Sequence, residues 1–179
     1  RAAIKRITAN KKPATFANTI LALEKSGELL DRVTSVFYGL ASADRTPEIA
    51  AIEKEATPML TDLQNEISFD AKLFARVKYV YRNEYKKLKG EDKKLLDEVY
   101  KDFVRSGALL PAAKKERMMA INKRISALQQ EWGTQLPAAT NDAVVWVQSR
   151  EELAGLSEAD VAQCKKDAES RGAKAPYCI

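Results

Sequence analysis

Side chains that commonly do chemistry are scarce in this chain, which has 179 residues and no histidine. Without an imidazole there is no Ser-His-Asp or Cys-His nucleophile system and no HExxH zinc helix. The glycine patterns that cradle phosphates, GxGxxG and GxxxxGK[ST], are also missing. We therefore predict no catalytic, cofactor-binding or metal-binding residue in this chain.

Carboxylates are the remaining candidates for acid–base work, and they occur as two close pairs. Glu53 lies near Glu55, and Glu151 is followed by Glu152. Two carboxylates can serve a hydrolase when their environments differ. Each pair, however, lies in a helical stretch that also carries lysine or arginine, which favours a solvated surface. A purely enzymatic interpretation of these residues fails.

The two cysteines, Cys164 and Cys178, have no CxxC spacing and no histidine that could complete a zinc shell. Two free, partly buried thiols are the preferred interpretation, and a disulfide is the alternative. No cofactor is expected within this chain.

Positive charge is concentrated in residues 76–94, where eight Lys or Arg outnumber three acids, within a chain of net charge +5. Three tyrosines, Tyr79, Tyr81 and Tyr85, are interleaved with these cations, as in surfaces that stack single-stranded nucleic acid. Acids resume at Asp97 and Glu98, so a solvated helix face is the preferred explanation. We expect no nucleic-acid partner.

The elements that hold these residues are predicted to be helices. The hydrophobic content is 45% and the charged content 31%, with seven glycines and six prolines. These values suit a globular protein and disfavour an all-β architecture. We predict a mainly α fold, a bundle-like lobe of long antiparallel helices over residues 1–142. A strand–helix–strand segment follows over residues 143–179, and its last strand is cut short at Ile179, as at a fragment boundary.

Helix boundaries are marked by capping residues. Residues 1–9 are predicted to be the end of a helix, and Thr15 to cap a long helix that runs to about Ala41. Further caps are Thr46 followed by Pro47, then Asp70, and Ser157 with its capping-box partner Asp160. Gly107 and Gly172 are predicted to end helices.

Apolar side chains recur every three or four residues along the longest helices, which predicts faces that pack together. Gly27 interrupts the first of these stripes, which suggests that a neighbouring element approaches closely there. The three stripes consist of Ile20, Leu23, Leu30, Val33, Phe37 and Leu40; Ile49, Ile52, Ala56, Leu60, Leu63 and Ile67; and Met118, Ile121, Ile125, Leu128, Trp132 and Leu136.

Uninterrupted apolar runs, such as residues 108–113 and 143–147, are far shorter than the roughly 18 residues of a membrane-spanning helix, so no membrane partner is expected. No signal peptide is visible, but the chain opens on Arg1, so a preceding segment could have been removed. The expected compartment is the cytoplasm, with the periplasm as the alternative.

The sequence of residues 14–37, ATFANTILALEKSGELLDRVTSVF, closely resembles the N-terminal helical region of peptidyl-dipeptidases. These are zinc metallopeptidases of the thimet-oligopeptidase family, which also includes oligopeptidase A; the dipeptidase branch is favoured. The resemblance continues in order through SADRTPEIAAIEKEATPML (residues 42–60), LFARVKYVY (73–81), YKDFVRSGALL (100–110), INKRISALQQEW (121–132) and SREELAGLSEADV (149–161).

The resemblance implies a larger, helical, two-lobed enzyme with a deep channel and an HExxH zinc site beyond Ile179. This chain would form part of the channel wall and would be inactive alone. Its implied partners are the remainder of the same polypeptide and short peptides, and zinc would bind only in the full-length parent. A free-standing helical module that binds a protein or nucleic acid is the alternative.

Overall fold

The computed structural model describes residues 1–179, and the chain divides into two compact units, Arg1–Leu128 and Gln129–Ile179. The predicted mainly α fold with one small sheet is confirmed, whereas the boundary after residue 142 stays a prediction. The helices are α1 (Ala2–Ala9), a π-helical turn (Phe16–Leu21), α2 (Ala22–Ala43), α3 (Pro47–Ser68), α4 (Ala71–Glu84), α5 (Gly90–Arg105), α6 (Ala112–Asp142), a 3-10 turn (Glu151–Leu153) and α7 (Glu158–Ser170). The strands are β1 (Trp146–Val147) and β2 (Tyr177–Cys178).

The core of the first unit lies among α1, the π turn, α4 and α5. The apolar face of α4 supplies most of it, because Leu73, Val77 and Val80 are fully buried. Leu96 of α5 and Ile20 of the π turn are also fully buried against this face. Close packing of these side chains is the main source of stability in this unit.

The long helix predicted from Thr15 to Ala41 begins with a π-helical turn and ends at Ala43. Thr15 does cap it: its hydroxyl accepts from the N–H of Asn18, and Asn18 Oδ1 accepts from the N–H of Thr15. Asn18 Oδ1 also accepts from Nη2 of Arg76 on α4 at 2.9 Å. The π turn is therefore attached to α4 by a charge-assisted hydrogen bond.

The other predicted caps are confirmed. Thr46 accepts from the N–H of Ile49, with Pro47 at the first helical position. Asp70 Oδ1 accepts from the N–H groups of Lys72 and Leu73 at 2.8 and 2.9 Å. These side chains satisfy N–H groups that a helix leaves unpaired at its start.

Gly107 ends α5 with a φ of +96°, the left-handed conformation that glycine adopts readily. Its N–H donates to the carbonyl of Val104, and the N–H of Ala108 donates to that of Phe103 at 2.9 Å. This pair of hydrogen bonds is the Schellman arrangement, so the predicted stop is confirmed.

The expectation that the apolar stripes pack together is wrong for much of α2 and α6. Val33 on α2 is 58% exposed and Trp132 on α6 is 65% exposed. Periodicity shows that a helix has an apolar face, but it does not show which neighbour covers that face. The stripe residues that are exposed are Leu30, Val33, Leu40, Ile52, Ile121, Ile125, Leu128, Trp132 and Leu136.

Gly27 does not mark a close approach by another element, contrary to the prediction. A Cβ built at this position would meet only the carboxylate of Asp31, one turn later in the same helix, at 3.1 Å. The space beside Gly27 is part of an open groove, described below.

The second unit contains the predicted strand–helix–strand segment. Trp146 pairs with Cys178 and Val147 with Tyr177 in an antiparallel sheet, and the backbones of Val145 and Ile179 exchange two hydrogen bonds of 3.0 Å beside it. Each regular strand is two residues long.

The cap of α7 matches the sequence, because Ser157 and Asp160 form the predicted capping box. Gly172 follows the helix with a φ of +86°. The small core of this unit contains Val147, Leu153 and Val161.

Candidate functional site

Three of the four carboxylates singled out in the sequence accept hydrogen bonds within the fold, namely Glu53, Glu151 and Glu152, whereas Glu55 is exposed. Glu53 Oε2 accepts from Nε of Arg45 at 2.9 Å, which ties the start of α3 to the loop before it. Hydrogen bonds from its own backbone N–H and from Ser149 lower the pKa of Glu151. A general acid needs a raised pKa, so Glu151 is unsuited to that role.

The two cysteines are free thiols, so the disulfide alternative is not realised. Cys178 is buried in β2, and Cys164 is half-buried on α7 beside the small core. Their surroundings are apolar, and the pair forms no chemical centre.

The tyrosines of the basic segment contribute mainly to packing. Tyr81 stacks on Tyr100 with ring centroids 4.0 Å apart, and Tyr85 lies 4.9 Å from Tyr81. Burial, followed by the neighbouring Asp97, raises the pKa of Tyr81. Only Tyr79 is exposed. Two of the three rings that could have stacked on bases are therefore engaged within the fold.

A groove of about 610 Å³ lies between α2 and α3 in the first unit. Its size falls in the range of small-molecule sites, and apolar surface predominates in its walls although half of the lining residues are polar. On the α2 side it is lined by Leu23, Ser26, Gly27, Leu30, Asp31, Thr34 and Tyr38; on the α3 side by Leu60, Thr61, Leu63, Gln64, Asn65 and Ile67; and Asn122 is contributed by α6.

Polar side chains hold α3 against α6 beside this groove, and we call this set the polar seam. Thr61 Oγ1 donates to Ser126 Oγ at 2.9 Å, and Asn122 Nδ2 donates to Asn65 Oδ1 at 2.7 Å. These pairs run in opposite directions along the two helices, which are therefore antiparallel here. The inward face of α6 is accordingly polar at Asn122 and Ser126, whereas its apolar stripe points away.

Asn65 is a groove residue with a buried hydrogen-bond donor that has no acceptor. Only 4% of its surface is exposed, and its Nδ2 has no hydrogen-bond acceptor. A buried amide group without an acceptor costs about 1–3 kcal/mol. Such a group is rare in folded proteins and calls for a specific explanation.

Charge in the groove comes from one residue, because Asp31 is the only lining side chain that is charged at neutral pH. No lysine or arginine forms an ion pair with it, whereas Asp62 on α3 pairs with Lys123 on α6 at 2.8 Å. The groove thus combines apolar walls, a free carboxylate and an amide donor without an acceptor.

The residues of this chain do not fit a zinc site. The structure contains no cluster of three side chains from His, Cys, Asp and Glu that could hold a metal ion. Zinc in proteins takes nitrogen from histidine or sulfur from cysteine in most sites, and neither is available here in the needed number. No step of a metal-dependent reaction is therefore assigned to these residues.

None of the helices combines the length and the hydropathy that crossing a lipid bilayer would require.

Sequence reasoning missed the groove and the polar seam, although one signal was present. Thr61 and Asn65 stand four residues apart on α3, as do Asn122 and Ser126 on α6. Residues at this spacing share a helix face. Two such polar faces indicate a possible helix contact, but they do not identify each other as partners.

Comparison with known proteins gives relatives along nearly the whole chain. It is 36% identical to the dipeptidyl carboxypeptidase of Escherichia coli (strain K12) over 173 residues, which are 96% of this chain and 25% of that protein. It is 32% identical to the dipeptidyl carboxypeptidase of Salmonella typhimurium over 180 residues, 100% of this chain and 26% of that protein. Oligopeptidase A of Salmonella typhimurium is 26% identical over 172 residues.

No family model matches the chain. The chain spans about a quarter of the length of the relatives it matches. The resemblance read from the sequence is thus confirmed by relatives of both kinds. The chain belongs to the thimet-oligopeptidase family of peptidases, which includes dipeptidyl carboxypeptidase and oligopeptidase A.

Proposed function

We propose that this chain is the N-terminal, non-catalytic helical region of a zinc-dependent peptidyl-dipeptidase, an enzyme that releases dipeptides from the C-terminus of short peptides. The observation that carries the proposal is the match to two dipeptidyl carboxypeptidases over at least 96% of this chain but only about a quarter of their length. A chain without histidine needs the HExxH site to be supplied by another part of the polypeptide.

The proposed role is to form part of a rigid wall of the substrate channel. Support comes from the tightly packed core of α4 and α5, because an interior at crystal-like density resists deformation by a bulky substrate. Support also comes from exposed apolar side chains of α2 and α6 that lie outside the groove described above, such as Val33 and Trp132, which suit contact with further polypeptide. The compartment, cytoplasmic or alternatively periplasmic, stays a prediction.

A chimera tests the proposal directly. This chain replaces the matching quarter of the Escherichia coli dipeptidyl carboxypeptidase, and dipeptide release from a model peptide is measured. We expect a folded, active hybrid, because the identity extends along the whole segment. The control is the same hybrid with Leu73→Ala, which weakens the core of the segment and lowers the yield of active protein.

The isolated chain gives the complementary measurement. We expect neither dipeptide release nor stoichiometric zinc in metal analysis of the purified chain. Turnover by the chain alone, or a folded but inactive hybrid, contradicts the proposal.

A further inference from the structure

We propose that the groove between α2 and α3 binds the amino-terminal end of a short apolar peptide. The peptide's amino group lies at Asp31, and one of its backbone carbonyl oxygens accepts a hydrogen bond from Asn65. The inference rests on the proposed function in taking peptides as the ligand class, and it assigns to this region a binding site of its own.

The apolar walls set the nature of the ligand's side chains. Leu23 and Leu30 on α2 face Leu60 and Leu63 on α3 across about 610 Å³. That volume suits one or two aliphatic side chains and excludes a folded partner. Burial of aliphatic surface against these leucines supplies the non-specific part of the affinity.

The amide of Asn65 requires the ligand to carry a hydrogen-bond acceptor. Its Oδ1 is engaged by Asn122, while its Nδ2 is buried and has no acceptor. The χ2 torsion of asparagine is soft, so the amide can turn toward a ligand oxygen, and it then gives up its hydrogen bond from Asn122 for one to the ligand. A backbone carbonyl is the acceptor that every peptide carries.

The carboxylate of Asp31 sets the sign of the ligand's charge. It is the only charged side chain that lines the groove, and it has no cationic partner. An ammonium group fits this position, whereas a carboxylate end is repelled. Asp31 lies on the α2 wall of the groove and Asn65 on the α3 wall.

Three probes separate these contributions when titrated into the full chain and followed by amide chemical shifts. Leucyl-leucine amide carries the amine and the carbonyls, its N-acetylated form lacks the charge, and hexylamine lacks the acceptor. We expect leucyl-leucine amide to bind about threefold more tightly than the acetylated form, as for an exposed ion pair. We expect hexylamine to bind about fivefold more weakly than leucyl-leucine amide, as for one lost neutral hydrogen bond.

Substitutions with matched controls locate the site. Asp31→Asn is expected to remove the preference for the free amine, while Glu28→Gln on the same helix, outside this groove, leaves it unchanged. Gly27→Leu fills the groove and displaces the adjacent Asp31 carboxylate while raising helix propensity, so we expect binding to be lost in a folded protein. Gly39→Leu is its control, because nothing lies within 4 Å of a Cβ there.

Equal affinities for the free and acetylated peptides, equal effects of Asp31→Asn and Glu28→Gln, or shifts that map outside the groove overturn the inference. Absence of saturable binding of leucyl-leucine amide also overturns it. Those outcomes leave the proposed function standing, because the activity of the chimera tests that function separately.

Discussion

The contrast between the buried core and the exposed stripe predicts very different costs for the same substitution. Leu73 on α4 is fully buried in the core, whereas Leu29 on α2 is 72% exposed. Leu→Ala removes about 2.4 kcal/mol of transfer free energy from a fully buried side chain, and the cavity left behind adds to the loss. We expect Leu73→Ala to lower the free energy of unfolding by about 2.5–4.5 kcal/mol.

Leu29→Ala is the matched control. With 28% of its surface covered, by difference from its exposure, the same change costs at most about 0.7 kcal/mol, and the better helix propensity of alanine offsets part of this. Urea denaturation followed by circular dichroism at 222 nm measures both values. The Leu73 variant should also melt about 5–15 °C lower. Similar losses for the two variants, or a larger loss for Leu29→Ala, would refute the packing described here.

Three further changes probe local features. The hydrogen bond from Lys101 lowers the pKa of Asp97 in the folded protein. Asp97 therefore stabilises the fold above its ordinary pKa of about 3.9, and this contribution is lost as the pH falls through the pKa of the folded state. In urea titrations, the difference in stability between Asp97→Asn and the parent should be present at about pH 7 and shrink at about pH 3. Ser157→Ala removes the capping box of α7 and should cost about 1 kcal/mol in the same assay, with no loss if the box is unimportant. Gly107→Ala should cost about 1–2 kcal/mol or more, because its φ is +96° and the new Cβ lies 2.8 Å from Leu110 Cδ1; a neutral result would contradict the left-handed geometry.

Helix ends were predictable because their causes are local. Thr46, Asp70 and Ser157 each accept hydrogen bonds from N–H groups two or three residues away, so a short stretch of sequence contains both partners. Gly107 likewise acts through its own backbone conformation and the preceding turn.

Packing partners were not predictable, because they depend on residues distant in the chain. The stripe of α6 has the right periodicity for a buried face, yet Ile121 and Ile125 are exposed while Asn122 and Ser126 face α3. The sequence of α2 alone does not indicate the groove. Gly27 suggested a close contact with another element, whereas it borders open space. Periodicity identifies the apolar side of a helix but carries no information on what lies opposite.

The polar seam has a consequence for the alignment of α3 with α6. A leucine interface tolerates a slide of one helical turn, about 5.4 Å, because apolar contacts are non-directional. The same slide here would leave one of the two amides without its partner. In one direction Asn65 would come level with Met118, whose thioether is a weak acceptor and cannot donate to Oδ1; in the other direction Asn122 would come level with Phe69. The hydrogen bond between the two amides therefore fixes the axial register of α3 against α6.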